Sequence, residues 1–183
     1  VLTEALPDAC TESARTGRFE CRNKPIPLFP SRTTTMQICK LTHDDLPRVS
    51  ALCLDAFMLA VAPSLPAQGV ETFAKVTAAQ AFAERMEGDN LMLVCVADAT
   101  ITGLIEFKEG RHVAMLFVAP GWQRRGIGMR LMNAALEQAR DETVTVRASL
   151  SSVPFYESYG FVLAGEIGEF AGLVYQPMEK RLS

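Results

Sequence analysis

The sequence predicts a mixed α/β fold in which one largely antiparallel sheet carries helices on both faces. Three apolar, strand-like runs, LMLVCVAD, TITGLIEFKE and HVAMLFVAP, follow one another with connections of only a few residues. Such short connections favour antiparallel neighbours. Helical apolar periodicity stands both before and after these runs, so the predicted element order is β-α-α-β-β-β-α-β-α-β-β.

Composition and length fit one globular domain with a substantial core. The chain has 183 residues, of which 49% are hydrophobic and 21% charged, as is ordinary for a globular protein. The net charge of −3 argues against a nucleic acid or an anionic membrane as partner. The apolar runs are shorter than the roughly 20 residues that cross a bilayer.

Cysteine and histidine usage argues against a metal centre. Five cysteines are scattered without CxxC spacing, and the histidines are only His43 and His112. This pattern favours reduced thiols, and therefore a cytoplasmic location, over a disulfide framework or a metal site.

Residues 1–35 differ from the rest of the chain because they mix prolines, threonines and charges without any period. We expect a loosely ordered extension there, either non-native or the product of an upstream start, and a folded domain over residues 36–183.

Two helices are predicted ahead of the three strands. Thr42 is placed to cap the first, with Pro47 in its first turns, and the prolines and glycine of APSLPAQGV end it. Thr77 with Gln80 resembles a capping box for the second, which stops at Gly88. Short helices around a proline-rich loop suggest a movable flap. The apolar positions of the first helix recur at helical spacing: Leu46, Val49, Leu52, Cys53, Ala56 and Phe57.

The stretch LFVAPGWQRRGIGMRLMNAALEQA runs from a strand through a basic glycine turn into an amphipathic helix. The first N–H groups of a helix are free, and the dipole makes that end an anion site. Gly126 and Gly128 let a phosphate approach the backbone, while Arg124 and Arg125 add positive charge. The predicted ligand therefore carries a phosphate or a pyrophosphate.

The glycine pattern separates the candidate ligand classes. A dinucleotide fingerprint needs a third glycine where Leu131 stands, and the lysine of a Walker A loop is absent. QRRGIG instead resembles the QxxGxG turn of the GNAT superfamily of N-acetyltransferases. A second motif of that family, a strand followed by FY and then GF, resembles VRASLSSVPFYESYGF. The resemblance extends from about Met36 to the end of the chain.

The resemblance implies that the strands HVAMLFV and TVTVRAS splay apart and that acetyl-CoA lies between them. It also implies backbone contacts to the pantetheine arm and a pyrophosphate held by the turn's amides. Many family members carry asparagine at the position of Ser149, and serine is shorter. The implied cofactor-binding residues are Phe117, Val118, Gln123, Arg124, Arg125, Gly126, Ile127, Gly128, Met129 and Ser149.

Acetyl transfer to an amine needs an acid, an oxyanion donor and a route for the amine proton. By resemblance, Tyr156 is the acid that protonates the leaving thiolate, and an N–H near Val118 meets the oxyanion. Glu106 is the candidate base, because strand alternation places it beside Leu104 in a partly apolar cleft. His112 and water are the rival bases.

The predicted function is therefore acetyl transfer from acetyl-CoA to a primary amine of a small molecule or protein, in a ternary complex and without a metal. The alternative is a non-catalytic sensor that binds acyl-CoA. Tyr156 and Glu106 favour the enzyme, whereas Ser149 favours the sensor. The sequence does not identify the acceptor amine. It is compatible with a monomer and with a homodimer.

Overall fold

A computed structural model describes residues 35–182. The predicted N-terminal extension over residues 1–35 lies outside them, apart from Thr35. Within the described part the strands form one sheet in the order β1-β2-β3-β4-β5-β8-β6, and β7 pairs with β8. The strands are β1 Met36–Lys40, β2 Asn90–Ala97, β3 Thr100–Lys108, β4 His112–Val118, β5 Thr143–Ala148, β6 Val162–Leu163, β7 Gly168–Phe170 and β8 Leu173–Arg181.

Helices cover both faces of the sheet, as the sequence predicts. They are α1 Leu46–Ala60, α2 Ala67–Val76, α3 Ala79–Met86, α4 Ile127–Leu136 and α5 Val153–Ser158. α4 and α5 pack on one face through a core that includes Leu131 and Tyr156. α1 and α3 pack on the other face around Val49 and Phe82. Among the described helices, none combines the length and apolarity that a bilayer crossing requires.

Thr42 caps a helical start, as predicted, but a 3-10 turn separates it from α1. Thr42 and Asp45 form a capping box around a 3-10 turn over His43–Asp45, and α1 follows with Pro47 near its start. The Thr42 hydroxyl donates to the Asp45 carboxylate at 2.6 Å. A proline near the start removes an N–H that has no helical partner there, so the helix tolerates it.

Two sequence-based expectations before β2 are wrong. The segment expected as a flap loop holds α2, which begins directly after Pro66. Thr77 closes α2 instead of capping α3, because its hydroxyl donates to the Phe73 carbonyl at 2.9 Å. α3 begins after Ala78, whose side chain makes no cap. Threonine satisfies the free carbonyls at a helix end as readily as the free amides at a helix start.

The expected antiparallel order of the three central strands is confirmed. β2 pairs antiparallel with β3, and β3 pairs antiparallel with β4. β5 pairs with β8 along its whole length. The strand β7, which the sequence analysis missed, forms a hairpin with β8 whose turn residues Ala171 and Gly172 both have positive φ.

Candidate active site

The central feature of the site is a V-shaped gap between the parallel strands β4 and β5. These strands pair only at His112 with Thr145 and at Val113 with Val146. Beyond these pairs β4 continues alongside β3 and β5 continues alongside β8. The gap therefore opens towards the carboxyl ends of both strands, and the predicted splaying of HVAMLFV and TVTVRAS is confirmed.

The pairing register shows which backbone groups of β4 face this gap. The Ala119 amide donates to the Thr102 carbonyl of β3 at 2.9 Å. In an antiparallel ladder the direction alternates, so Phe117 also directs its backbone towards β3, and Leu116 and Val118 direct theirs into the gap. Of the two residues expected to contact the cofactor through their backbone, Val118 therefore faces the gap and Phe117 faces β3.

The glycine turn lies at the open end of the gap and has the backbone of an anion site. Gly126 is the residue before α4 and has φ of 78°, in the left-handed region, as does Arg124 at 59°. The Arg130 amide is the first to bond back into the helix, to the Gly126 carbonyl at 3.0 Å. The amides of Ile127 and Met129 therefore belong to the free first turn of α4. A Cβ at Gly126 would meet nothing within 4 Å, so open space lies beside this backbone.

Two other glycines bring α4 close to its neighbours. A Cβ on Gly103 of β3 would stand 2.9 Å from the side chains of both Ile127 and Leu131. A Cβ on Gly128 would stand 3.3 Å from the Phe155 ring. The start of α4 consequently lies directly on β3 and against α5, which fixes the free amides beside the mouth of the gap.

Side chains of the turn are held in place by neighbours. Gln123 donates its side-chain amide to the Val118 carbonyl at 3.3 Å, which ties the turn to the end of β4. The Arg125 guanidinium lies 4.8 Å from the centre of the Trp122 ring, a cation–π contact. Arg124 is exposed and makes no ion pair with any described residue.

Tyr156 lies on α5 with its ring in the core and only 5% of its surface exposed. Its ring meets those of Phe155 and Phe161 edge to face, both with centroids at 5.3 Å. Burial raises the pKa of the Tyr156 hydroxyl above its usual value, so the phenol stays protonated at neutral pH.

Ser149 ends β5 inside a small cluster of serines. Its hydroxyl lies 2.9 Å from that of Ser152, which in turn donates to the Ser149 carbonyl at 2.9 Å. The Ser149 side chain thus supports the turn into α5, on the β5 side of the gap.

Glu106 is buried, 1% exposed, on the face of β3 that lies under α1 and α3. Both carboxylate oxygens accept hydrogen bonds from Arg85 of α3: Nε at 2.9 Å and Nη2 at 3.1 Å. Arg85 also donates Nη1 to the carbonyls of Val76 and Ala81. A bidentate pair of this kind neutralises a carboxylate that burial alone would destabilise.

His112 lies at the closed end of the gap. Its Nδ1 is 2.8 Å from the Thr145 hydroxyl across the β4–β5 pair. Burial lowers the pKa of His112, and the positive charges of Arg147, Lys108 and Arg111 lower it further. The imidazole is therefore neutral at pH 7, the form that accepts a proton.

An aromatic group lies on the α1 and α2 side of the gap. The rings of Phe57 and Phe73 stack with centroids 3.7 Å apart, and Phe73 meets Phe117 edge to face at 5.3 Å. Leu173 of β8 packs against the same group. The gap consequently separates two different surroundings: the glycine turn on the α4 face, and aromatic rings on the opposite face.

Sequence reasoning missed Arg85 and the role of Phe73. Arg85 stands one turn after Phe82 on the apolar face of α3, where an unpaired cation would be costly. That position, together with a carboxylate inside an apolar strand, is the signal that could have linked Arg85 to Glu106. Phe73 gave no such signal, because its helix was expected to be a loop.

Within the described residues no cluster of three or more histidine, cysteine, aspartate or glutamate side chains could hold a metal ion. The residues that the sequence assigned to the site lie on β3, β4 and α5, in the glycine turn and after β5. Val118, the glycine turn and Ser149 lie along the edges of the gap, His112 lies at its closed end, and Tyr156 and Glu106 lie on opposite faces of the sheet.

Several known proteins are similar to this chain in sequence or in fold. An uncharacterized N-acetyltransferase of Bacillus subtilis, YitH, is 33% identical over 82 residues, which are 44% of this chain and 29% of that protein. The chain therefore spans less than a third of that relative. A GCN5-related N-acetyltransferase structure from Rhodopseudomonas palustris has a TM-score of 0.73 at 22% identity, covering 81% of this chain and 97% of that one.

The PaiA N-acetyltransferase structure from Thermoplasma acidophilum, a complex with coenzyme A, has a TM-score of 0.68 at 20% identity. It covers 81% of this chain and 99% of that one. The model of the acetyltransferase (GNAT) domain matches residues 61–182, about two thirds of the sequence and all of the gap described above. The chain belongs to the GNAT family of acetyltransferases.

Proposed function

We propose that this protein transfers the acetyl group of acetyl-CoA to a primary amine of a small molecule or protein. The observation that carries the proposal is the V-shaped gap with the free amides of the glycine turn at its open end. A ligand with a pyrophosphate and an extended amide-containing arm fits both features, because helix N-termini bind phosphate and strand backbone pairs with amides. The coenzyme A complex of the similar Thermoplasma protein supports the same placement.

The reaction takes place inside the gap, between the α4 face, which holds Tyr156, and the opposite face. The amine nitrogen attacks the thioester carbonyl, the C–S bond breaks, and the thiolate takes up a proton. We assign the Val118 amide, which faces the gap, to the oxyanion that forms on the carbonyl. Holding both substrates in one gap supplies orientation, which accounts for much of the acceleration in reactions of this kind.

We assign the proton for the thiolate to Tyr156. Its phenol is kept neutral by burial, and no described residue accepts or donates a hydrogen bond at its hydroxyl. Tyr156→Phe keeps the ring contacts with Phe155 and Phe161 and removes only the acid. We expect kcat to fall about 10²- to 10³-fold, in the range of general acid catalysis, while the thermal shift caused by acetyl-CoA is unchanged.

Tyr159→Phe is the matched control, since that tyrosine donates to Asn133 outside the gap. Thiol release from acetyl-CoA measures turnover in both variants. Equal kcat for Tyr156→Phe and the wild-type protein would remove Tyr156 from the mechanism.

Two side chains and water remain as candidate bases for the amine proton, and loss of the acidic limb in neither variant would favour water. Glu106 is held by Arg85, and each carboxylate oxygen keeps a second lone pair with which to orient a water molecule. His112 is neutral and has a second ring nitrogen that makes no hydrogen bond with a described residue. The acidic limb of the kcat–pH profile decides between them: Glu106→Gln abolishes it if Glu106 is the base, and His112→Asn abolishes it if His112 is.

Cofactor binding is tested by the thermal midpoint of the protein with and without acetyl-CoA. A ligand present at 100 times its Kd stabilises the folded state by about 2.7 kcal/mol, which gives a clear rise in the midpoint. Gly126→Asp places a carboxylate beside the free amides and should abolish the rise, whereas Arg181→Gln at the far end of β8 should preserve it. No rise with the wild-type protein at millimolar acetyl-CoA would refute the proposal.

The alternative function is an acyl-CoA-binding sensor without turnover. A midpoint rise without thiol release from any amine would favour it. For the enzyme we propose a reducing cytoplasmic setting, which the free thiols of Cys39, Cys53 and Cys95 support, and a monomer or homodimer as the active unit.

A further inference from the structure

An exposed arginine lies where β5 leaves β4. Val146 makes the last parallel pair with Val113, and Arg147 is the next residue of β5. The side chains of Val144, Val146 and Ala148 are buried on the α4 face. Since side chains alternate along a strand, Arg147 points to the opposite face, the one that holds Phe117 and the aromatic group.

The Arg147 guanidinium is held in place by a ring and not by a carboxylate. It lies 5.1 Å from the centre of the Tyr175 ring of β8. The ring itself lies on Gly168 of β7, where a Cβ would stand 2.7 Å from the Tyr175 Cζ. Gly168, Tyr175 and Arg147 thus form a stack across three strands, and a side chain at Gly168 would displace it.

No carboxylate among residues 35–182 forms an ion pair with Arg147. Glu179 lies on the same face of the sheet as Arg147. It is paired with Thr145, which is closer than Arg147 to the closed end of the gap. Glu109 is bound by Lys108 and Arg111. Glu109 is therefore used elsewhere, and Glu179, although it lies diagonally across from Arg147 on the same face, forms no ion pair with it.

The carboxylate of Glu106, which is buried on this side of the sheet, is neutralised by Arg85. The positive charge of Arg147 also reaches into the gap, since it contributes to lowering the pKa of His112. Among the described residues of the face opposite the glycine turn, Arg147 is therefore an ordered cation that forms no ion pair and lies on the same side as the aromatic rings.

We infer that the acceptor is an amine that carries a carboxylate, and that Arg147 binds this carboxylate while Tyr175 positions the guanidinium. The inference rests on the proposed acetyl transfer, because the cofactor arm must come through the gap from the α4 face for the acceptor to approach from this one. A planar guanidinium with two free N–H edges fits a carboxylate bidentately. Because the ring already orders the side chain, little conformational entropy is lost on binding. A polycationic amine would meet repulsion at the same place.

The test compares amines that differ only in the carboxylate. Free α-amino acids, dipeptides, their C-terminal carboxamides and spermidine are offered to the protein with acetyl-CoA, and thiol release gives kcat/KM for each. We expect kcat/KM for the preferred carboxylate to exceed that of its carboxamide about tenfold or more, as for hydrogen bonds to charged groups. Arg147→Gln should remove this difference by raising the KM for the carboxylate alone, and Arg147→Lys should restore part of it.

Two further variants separate binding from positioning. Tyr175→Leu removes the ring and should raise the KM for the carboxylate much more than it changes kcat, and Tyr175→Phe, which keeps the ring, should reverse most of that rise. Arg181→Gln, an exposed arginine at the end of β8, is the control for loss of charge alone.

Three outcomes would overturn the inference: preference for spermidine or the carboxamides, no turnover with any carboxylate amine, or a rise in the KM for acetyl-CoA in Arg147→Gln. The rise in the thermal midpoint with acetyl-CoA tests the proposed function independently of the acceptor assignment. A protein that shows the rise but no carboxylate preference refutes only the acceptor assignment, and a protein without the rise refutes the transferase itself.

Discussion

Replacement of Arg85 by methionine should strongly destabilise the fold, because it leaves the Glu106 carboxylate buried without a partner. The Glu106 side chain is 2% exposed and that of Arg85 26%. Methionine keeps much of the length and the apolar stem of arginine, including its place over the Phe82 ring. The variant therefore removes charge and hydrogen bonds with little loss of packing.

The expected magnitude follows from the contacts that disappear. Removal of one partner from a buried ion pair costs about 3–5 kcal/mol. Because the arginine is partly exposed and water can enter when it leaves, we expect the lower end, about 3 kcal/mol. For a domain of this size such a loss lowers Tm by roughly 6–12 °C.

Urea unfolding at pH 7, followed by circular dichroism, measures this loss as a lower midpoint at constant m. The control is Arg48→Met, which breaks the exposed pair with Asp45 and should cost less than about 1 kcal/mol. The double variant Arg85→Met with Glu106→Leu should recover most of the stability, since an apolar pair needs no compensation. A loss below about 1 kcal/mol in Arg85→Met would mean that Glu106 is solvated and that the ion pair does not tie α3 to β3.

Two other perturbations test the ends of the gap. Burial and neighbouring cations lower the pKa of His112 from 6.5, so the unfolded chain binds a proton that the folded chain does not as the pH falls below 6.5. The free energy of unfolding should therefore decrease with falling pH, by at most about 1.4 kcal/mol per pH unit, and His112→Asn should flatten this slope in urea titrations between pH 5 and 8. Gly128→Val places methyl groups against the Phe155 ring, 3.3 Å from the glycine's Cβ position. It should cost about 1–3 kcal/mol and abolish the midpoint rise with acetyl-CoA, and a variant as stable as the wild-type protein would show that α4 and α5 are not in close contact.

Hydrophobic periodicity and the positions of glycine and proline in the sequence predicted most of the fold correctly. Strand runs, short connections and the apolar stripe of α1 each depend on local chemistry, and they gave the right elements. α2 was missed because Pro66 was taken as the end of a helix, while proline is equally suited to the position just before one. Thr77 was misassigned for a related reason, since its hydroxyl serves either end of a helix and only the tertiary packing selects one.

The part of the candidate site that is formed by backbone groups could be predicted from the sequence. The glycine turn requires a left-handed backbone conformation at Gly126, and a glycine at such a position is a signal that can be read from the sequence. Arg85 and Arg147 lie far along the chain from the residues they contact. The apolar surroundings of Arg85 and Glu106 indicate that each needs a partner, but which ring Arg147 meets depends on strand register, which no local pattern encodes.

A single extra residue, which no sequence signal marks, lies where the gap begins. Glu106 pairs with Met115 and the next residue of β3 with Val113, so Ala114 is an extra residue that bulges out of β4. Before the bulge, the carbonyl of Arg111, the residue that precedes β4, faces β5 and accepts from the Thr145 amide at 2.9 Å. The extra residue reverses this alternation, so that after the bulge the backbones of Leu116 and Val118 face the gap. A bulge adds twist and breaks pairing on its strand, so the same insertion favours the separation of β4 from β5 and turns the Val118 backbone towards the gap. Without Ala114 the two strands could stay in register to their ends, and the sheet would close where we propose that acetyl-CoA binds.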